Sequence, residues 1–302
     1  MPLPVSTSLN VLASRPIDEA IRRCAAAGFR TFDFNYCDYV RRQLLHQSWP
    51  EEEAWAHHVR DVAEREGVTF GQMHGPIFNP FATSADTEPL LALSDRSMRT
   101  AAIVGTPWIV FHPGTTPGPF DTAHRKDLLD RNVAFVRRLL DESGSDTLGV
   151  AVEDCHDGSP SDARPRKQFG AIPEELAQLV DALDTPRAGV CWDTGHGHVQ
   201  GLDHPAALRL LGHRLKVTHI HDNHGRADEH TLPFTGTINW ADLTAALSDA
   251  AYRGPISLEV HNSFHPLPDA LKDAQLTFAH QIASHLATQI ARVDGNRSPL
   301  AS

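Results

Sequence analysis

Eight short β-forming runs alternate with eight longer amphipathic runs along this chain, and that alternation is the strongest constraint on its fold. The strand-like runs cover residues 4–10, 30–35, 68–74, 107–112, 147–153, 187–193, 215–221 and 255–260. Helical patterns fill 16–27, 50–66, 87–104, 121–142, 173–183, 204–211, 239–250 and 268–290. In 121–142 the apolar residues Leu128, Leu129, Val133, Val136, Leu139 and Leu140 recur at helical spacing. Gly28, Gly67 and Gly105 follow three of the helices, where glycine ends a helix most cheaply. No stretch suits a linker. The pattern predicts an α/β protein, a single (β/α)8 TIM barrel over residues 1–290. The last stretch, 291–302 (ARVDGNRSPLAS), reads as a disordered C-terminal tail. A doubly wound open sheet is the rival, but it would show a glycine-rich turn after strand one, and Ser6–Ser14 holds no glycine.

Composition excludes several classes of function. The net charge of −11 over 302 residues counts against a nucleic-acid partner, because phosphate-backbone binders carry a basic footprint. No apolar run approaches the roughly 18 residues of a membrane span. The start, MPLPVSTSLN, lacks a charged segment followed by an apolar one, so no signal peptide is expected. Cys24, Cys37, Cys155 and Cys191 are too scattered for a disulfide framework and form no CxxC pair. A cytoplasmic protein with reduced thiols is the expectation, its oligomeric state left open. Cys191 reads as a small buried apolar residue.

The 19 histidines are the anomaly, and their positions carry the argument. Active sites of such barrels form at the C-terminal ends of the strands. Strand three ends in His74 and strand four in His112. Strand five ends in Glu153, and strand six in Asp193 with His196 just beyond. Strand seven ends in His219 and His221, with Asp228 and His230 in its loop, and strand eight ends in Glu259. Any one of these is explained by a hydrogen-bonded structural histidine or a helix cap. Six consecutive strand ends of this kind are not. Mixed nitrogen and carboxylate donors suit zinc or manganese first, then cobalt, iron or magnesium, with one to three ions expected. There is no GxSxG elbow and no phosphate-binding GxxxxGK[ST] loop. Asn35 and Trp108 are weaker candidates for substrate binding, as is His221, and Phe34 and Trp192 are candidate pocket aromatics, although aromatic residues near strands more often belong to the core. Arg164, Arg166 and Lys167 could hold a phosphate or acid group of the substrate, although a solvated loop is the commoner reading of such a run.

The motifs VEDC, CWDTGH, HIHDN…DEHTLPFTGTINW and ISLEV together resemble the xylose-isomerase-like barrel superfamily. That group holds sugar isomerases and epimerases and is related to endonuclease IV. The resemblance covers about residues 4–290. It implies that Glu153, Asp193, His219 and Glu259 hold a metal, with Glu153 and Glu259 as catalytic base and acid. His74, His112, His196, Asp228 and His230 match the further ligands of the trinuclear zinc cluster in the nuclease branch. The implied function is metal-dependent ketose or keto-cyclitol isomerisation or epimerisation by proton transfer through a cis-enediolate, on a small carbohydrate-like substrate. The alternative is a multinuclear zinc phosphodiesterase of the endonuclease IV type, and a non-enzymatic metal barrel is a third reading. Two departures matter. The turn PFTGT (233–237) lacks a glutamate that the epimerases have, and the loop after strand three lacks basic residues. Asp222 and Asp154 are the expected supports for the ligating histidines.

Overall fold

The computed structural model describes residues 3–39, 48–158 and 168–296. Arg164, Arg166 and Lys167 lie outside the described residues, as does the end of the expected tail, 297–302.

The strands are β1 (Val5–Ser8), β2 (Thr31–Asn35), β3 (Thr69–His74), β4 (Trp108–Phe111), β5 (Gly149–Glu153), β6 (Ala188–Asp193), β7 (Leu215–His219) and β8 (Ile256–Leu258). All are parallel, in the order β7-β6-β5-β4-β3-β2-β1-β8. The ring closes between β7 and β8 through the bridge Ile220–Leu258, where the Ile220 N–H donates to Ser257 O at 2.8 Å. The chain is a single (β/α)8 barrel. Its helices are α1 (Ile17–Ala26), α2 (Tyr36–Tyr39), α3 (Trp49–Glu66), α4 (Thr87–Val104), α5 (Thr122–Glu142), α6 (Pro173–Leu183), α7 (Thr194–Val199), α8 (His204–Leu211), α9 (Trp240–Asp249) and α10 (Asp269–Asn296). The short α2 and α7 were not legible as periodic runs, and α10 continues past residue 290.

Local chemistry explains the punctuation. The side chains of Asp121, Asp203 and Asn239 accept the N–H groups of His124, Ala206 and Asp242 at the starts of α5, α8 and α9. Gly67 and Gly105 take left-handed φ values of 63° and 79° at the ends of α3 and α4.

Strand alternation then places the site. Val110, Ala151, Cys191 and Val217 form a small buried apolar cluster, one residue from each of β4 to β7. Two residues further along each strand stand His112, Glu153, Asp193 and His219. Period-two geometry points both sets to the same face. An apolar layer thus lines the interior along β4 to β7, and the polar ring sits on top of it.

Residues of the other face pack under the helices. Trp192 and Phe34 belong there, both fully buried, which corrects their reading as pocket aromatics. Phe34 packs against Tyr39, Trp55 and Phe70. The Trp192 indole N–H donates to His204 Nδ1 at 3.3 Å. Trp108 is corrected too. It opens β4 at the barrel's opposite end, packed on the apolar layer with Lys216 over its ring. An aromatic residue at the start of a strand serves stability rather than the site.

His204 makes stability acid-sensitive. Burial opposes its charged form, His198 adds repulsion, and its pKa falls from 6.5 to about 4. As pH drops, the unfolded chain therefore takes up this proton first. The stability associated with neutral His204 is whole above about pH 6.5 and is lost between about 6.5 and 4, on the order of 3 kcal/mol in all. A His204→Gln variant keeps an acceptor for the indole and removes the titration. Urea unfolding of both proteins at pH 7 and pH 4.5 should show a smaller acid loss in the variant, and equal losses would refute this.

Candidate metal centre

The C-terminal ends of the strands converge on a cavity of about 360 Å³. Glu153, Asp193, His219 and Glu259 each offer a donor atom there, all within 4.8 Å of one another and all buried. Glu153 and Glu259 line the cavity, while Asp193 and His219 lie behind them.

Around this quartet the other expected residues gather in two groups. On one side His74 Nε2 and His112 Nε2 stand 3.1 and 2.9 Å from Glu153 Oε2. On the other, His196 Nε2 and His230 Nε2 stand 3.4 and 2.7 Å from Asp228 Oδ2. The structure therefore brings all nine candidates together.

The histidines are held in a common posture. Nδ1 of His74 donates to Gly75 O at 2.9 Å, that of His196 to Asp154 O at 2.7 Å, and that of His230 to Glu259 O at 3.2 Å. A carbonyl only accepts, so Nδ1 carries the proton and Nε2 is left with a lone pair when the ring is neutral. That lone pair then faces a carboxylate, another pure acceptor. Such an arrangement needs positive charge between the two atoms, from a proton on the ring or from a bound cation. It is the posture of ligating histidines.

The electrostatics agree. Burial opposes ionisation of Glu153, yet the charges of His219 and His112 hold its carboxyl well below the usual range. Glu259 is lowered in the same way, against its burial, by His219 and His230. Burial lowers the pKa of His230, but Glu259 and Asp228 raise it to about 9 overall. Burial and the nearby carboxylates push Asp154 well above its ordinary value. Protons on the histidines can balance these carboxylates, and a divalent cation can do the same. The donor set thus fits a metal.

The other expectations divide. Asn35 lines the cavity. His221 does not. It is fully buried, its Nε2 2.9 Å from Asp193 Oδ1 and 3.4 Å from Asp228 Oδ1, so it backs a member of the quartet. A Cβ on Gly195 would fall 1.7 Å from this ring, so glycine is required in CWDTGH. Asp154 supports the site as expected, through its carbonyl on His196 and its Oδ1 on the Asp193 N–H at 2.6 Å. Asp222 supports no histidine among the described residues. It accepts from Asn223 N, Phe234 N, Ile238 N and the Trp240 indole at 2.9 to 3.2 Å, pinning the loop that carries Asp228 and His230. Gly236 lets that loop close, since a Cβ would lie 2.3 Å from Asp222 Oδ1 and Asn223 O. His230 takes a left-handed φ of 46°, a conformation costing about 1 kcal/mol in a non-glycine residue.

Several site residues escaped the strand-end reading. His261, His265, Asn10 and Asp38 line the cavity. A second chamber of about 250 Å³ adjoins across His112 and His196 and takes in Cys155, His156 and Gln168. Asp33, buried inside the barrel, stands 3.0 Å from His219 Nε2. Its signal was the polar alternation Thr31, Asp33, Asn35 within β2. Among the described residues lining the two chambers, none is Lys or Arg.

Residues 21–279 match the sequence pattern of the family described as xylose isomerase-like TIM barrel. The chain belongs to that family. Its curated relatives include an uncharacterized protein y4fM of Sinorhizobium fredii, 34% identical over 115 residues, which are 38% of this chain and 36% of that protein. A probable endonuclease 4 of Methanoculleus marisnigri is 25% identical over 235 residues, 73% of this chain and 78% of that protein. An L-ribulose 3-epimerase of Methylomonas sp. is 25% identical over 150 residues, 50% of this chain and 47% of that protein. The chain spans 36% and 54% of the length of the first two curated relatives it matches. Among solved structures, a D-tagatose 3-epimerase-like protein superposes with a TM-score of 0.72 at 19% identity, covering 98% of this chain and 100% of that one. The IolI protein with a zinc atom superposes at 0.69 and 15% identity, covering 99% and 100%. At these identities the structural likeness speaks to the barrel alone. No helix among the described residues is long and apolar enough to cross a membrane.

Proposed function

We propose that this protein is a divalent-metal-dependent isomerase or epimerase acting on a ketose, keto-cyclitol or related polyol. The observation that carries the reading is the buried quartet, whose two glutamates alone reach the cavity. Glu153, Asp193, His219 and Glu259 would hold the ion. A divalent ion supplies Lewis-acid polarisation of a substrate carbonyl and its neighbouring hydroxyl, which acidifies the intervening C–H. Glu153 and Glu259 then share the proton work, one removing the proton and the other returning it. Which of them is the base depends on the substrate's orientation. Both are ionised by the neighbouring histidines, so either can begin as base. His112, His196 and Asn35 line the cavity and would orient substrate oxygens. The L-ribulose 3-epimerase among the relatives supports this substrate class.

The test is solvent-deuterium incorporation into a panel of ketoses and keto-cyclitols by the manganese- or zinc-loaded protein. Exchange at the carbon beside the carbonyl, lost on chelation and restored by the ion, is the expected outcome. No exchange with any member of the panel would sink the proposal.

A second reading rests on a specific observation, the gathering of His74 and His112 at Glu153 and of His196 and His230 at Asp228. Three adjoining donor groups suit a multinuclear zinc phosphodiesterase, in keeping with the probable endonuclease 4 relative. Three equivalents of zinc per chain and cleavage of abasic-site DNA, abolished by His230→Ala, would favour it. One equivalent and no cleavage favour the first reading.

A further inference from the structure

His219 is held differently from His74, His196 and His230. Those three donate Nδ1 to a backbone carbonyl, whereas His219 turns Nε2 toward the carboxylate of Asp33 at 3.0 Å. Its Nδ1 points the other way, 2.6 Å from Glu153 Oε1 and 3.5 Å from Glu259 Oε2. Asp33 belongs to β2 and His219 to β7, so the contact crosses the barrel interior.

A carboxylate there needs explaining. The interior of such a barrel is ordinarily filled with branched apolar side chains. Asp33 is 1% exposed, and a carboxylate is costly to bury without partners. Its other partner is Gln72, whose Nε2 donates to the same Oδ2 at 3.2 Å and also to Thr218 O at 3.3 Å. Both ring nitrogens of His219 face carboxylate oxygens, and an ion held at the quartet would take the Nδ1 lone pair and leave the ring proton on Nε2, toward Asp33. A β-bulge builds the arrangement. The β2–β3 register slips between Phe32 and Asp33, so Asp33 pairs with Gln72 rather than Gly71.

We propose that Asp33 is a positioning residue for the metal centre, fixing the tautomer and orientation of His219 so that Nδ1 meets the ion. The inference rests on the reading of the quartet as a metal site. It makes His219 a more basic ligand than its carbonyl-anchored neighbours, because a full negative charge stands behind the ring.

The experiment measures Co²⁺ and Zn²⁺ affinity by competition with a chromophoric chelator. The proteins are wild type, Asp33→Asn, His219→Gln and the double variant. Asp33→Asn should weaken binding about 10- to 100-fold and change the visible Co²⁺ absorption. In the double variant the Asp33 change should add nothing to the loss from His219→Gln, since Asp33 acts through that ring. Asp33→Asn affinity within about two-fold of wild type, or a full Asp33 effect persisting without His219, would overturn the inference. Wild type binding neither ion would instead overturn the metal reading beneath it. A measurement on wild type alone covers the case in which Asp33→Asn does not fold. Imidazole ¹⁵N spectra of the zinc-loaded protein, with the His219 signals identified by their loss in His219→Gln, should show Nε2 protonated. The reverse tautomer refutes the proposal.

Discussion

Replacing Glu153 by Gln should reduce proton exchange on an active ketose by about 10²- to 10⁴-fold, the usual contribution of a positioned base, while the chain still folds. The two residues have the same shape, so packing at this fully buried position is kept. What disappears is the anion on which three histidines converge. His219 stands at Oε1, and His74 and His112 stand at Oε2. The variant should therefore lose metal affinity as well as exchange. Measuring both, together with the melting temperature of the chelated protein, separates chemistry from folding. Exchange within about ten-fold of wild type would mean that Glu153 is not the proton carrier, and the role would pass to Glu259.

The second large effect is on stability. Asp222→Ala should cost about 3–5 kcal/mol, read from the urea midpoint at neutral pH. Asp222 is fully buried, and its carboxylate accepts from three backbone N–H groups and the Trp240 indole. Alanine leaves those donors without an acceptor, and each unsatisfied buried donor costs about 1–3 kcal/mol, not additively. Asp222→Asn retains one acceptor oxygen and should lose less. Because the pinned loop carries Asp228 and His230, the alanine variant should also bind less zinc even where it remains folded. A loss below about 1 kcal/mol would show that the loop finds other partners.

Much of this architecture was readable from residues alone, for a reason visible in β4 to β7. A barrel strand has one face in the interior and one under the helices. A polar residue two positions after an inward apolar one therefore has few places to point except the mouth. His112, Glu153, Asp193 and His219 follow Val110, Ala151, Cys191 and Val217 in this way, and the strand-end rule found all four. Trp108, Trp192 and Phe34, weighed as pocket aromatics against the commoner core reading, lie away from the mouth, because aromatic residues near a site in sequence can lie on the opposite end or face of the same strand. The rule overlooked Asp33, which sits mid-strand between two phenylalanines, and His261, just beyond Glu259.

The sequence by itself determined the strand count, the helix punctuation and the identity of nine potential metal donors. These depend on short-range periodicity and on residue chemistry, which a linear chain displays. The tertiary structure decided how those donors group, which nitrogen of each histidine faces a carboxylate, and that His221 backs Asp193. It also decided that Asp222 holds a loop and that Asp33 lies against His219. Each of these follows from contacts between strands far apart in the chain and from two slips in strand register, in β2–β3 and β6–β7. A bulge shifts every later side chain in its strand relative to the neighbouring strand, and no local pattern announces it.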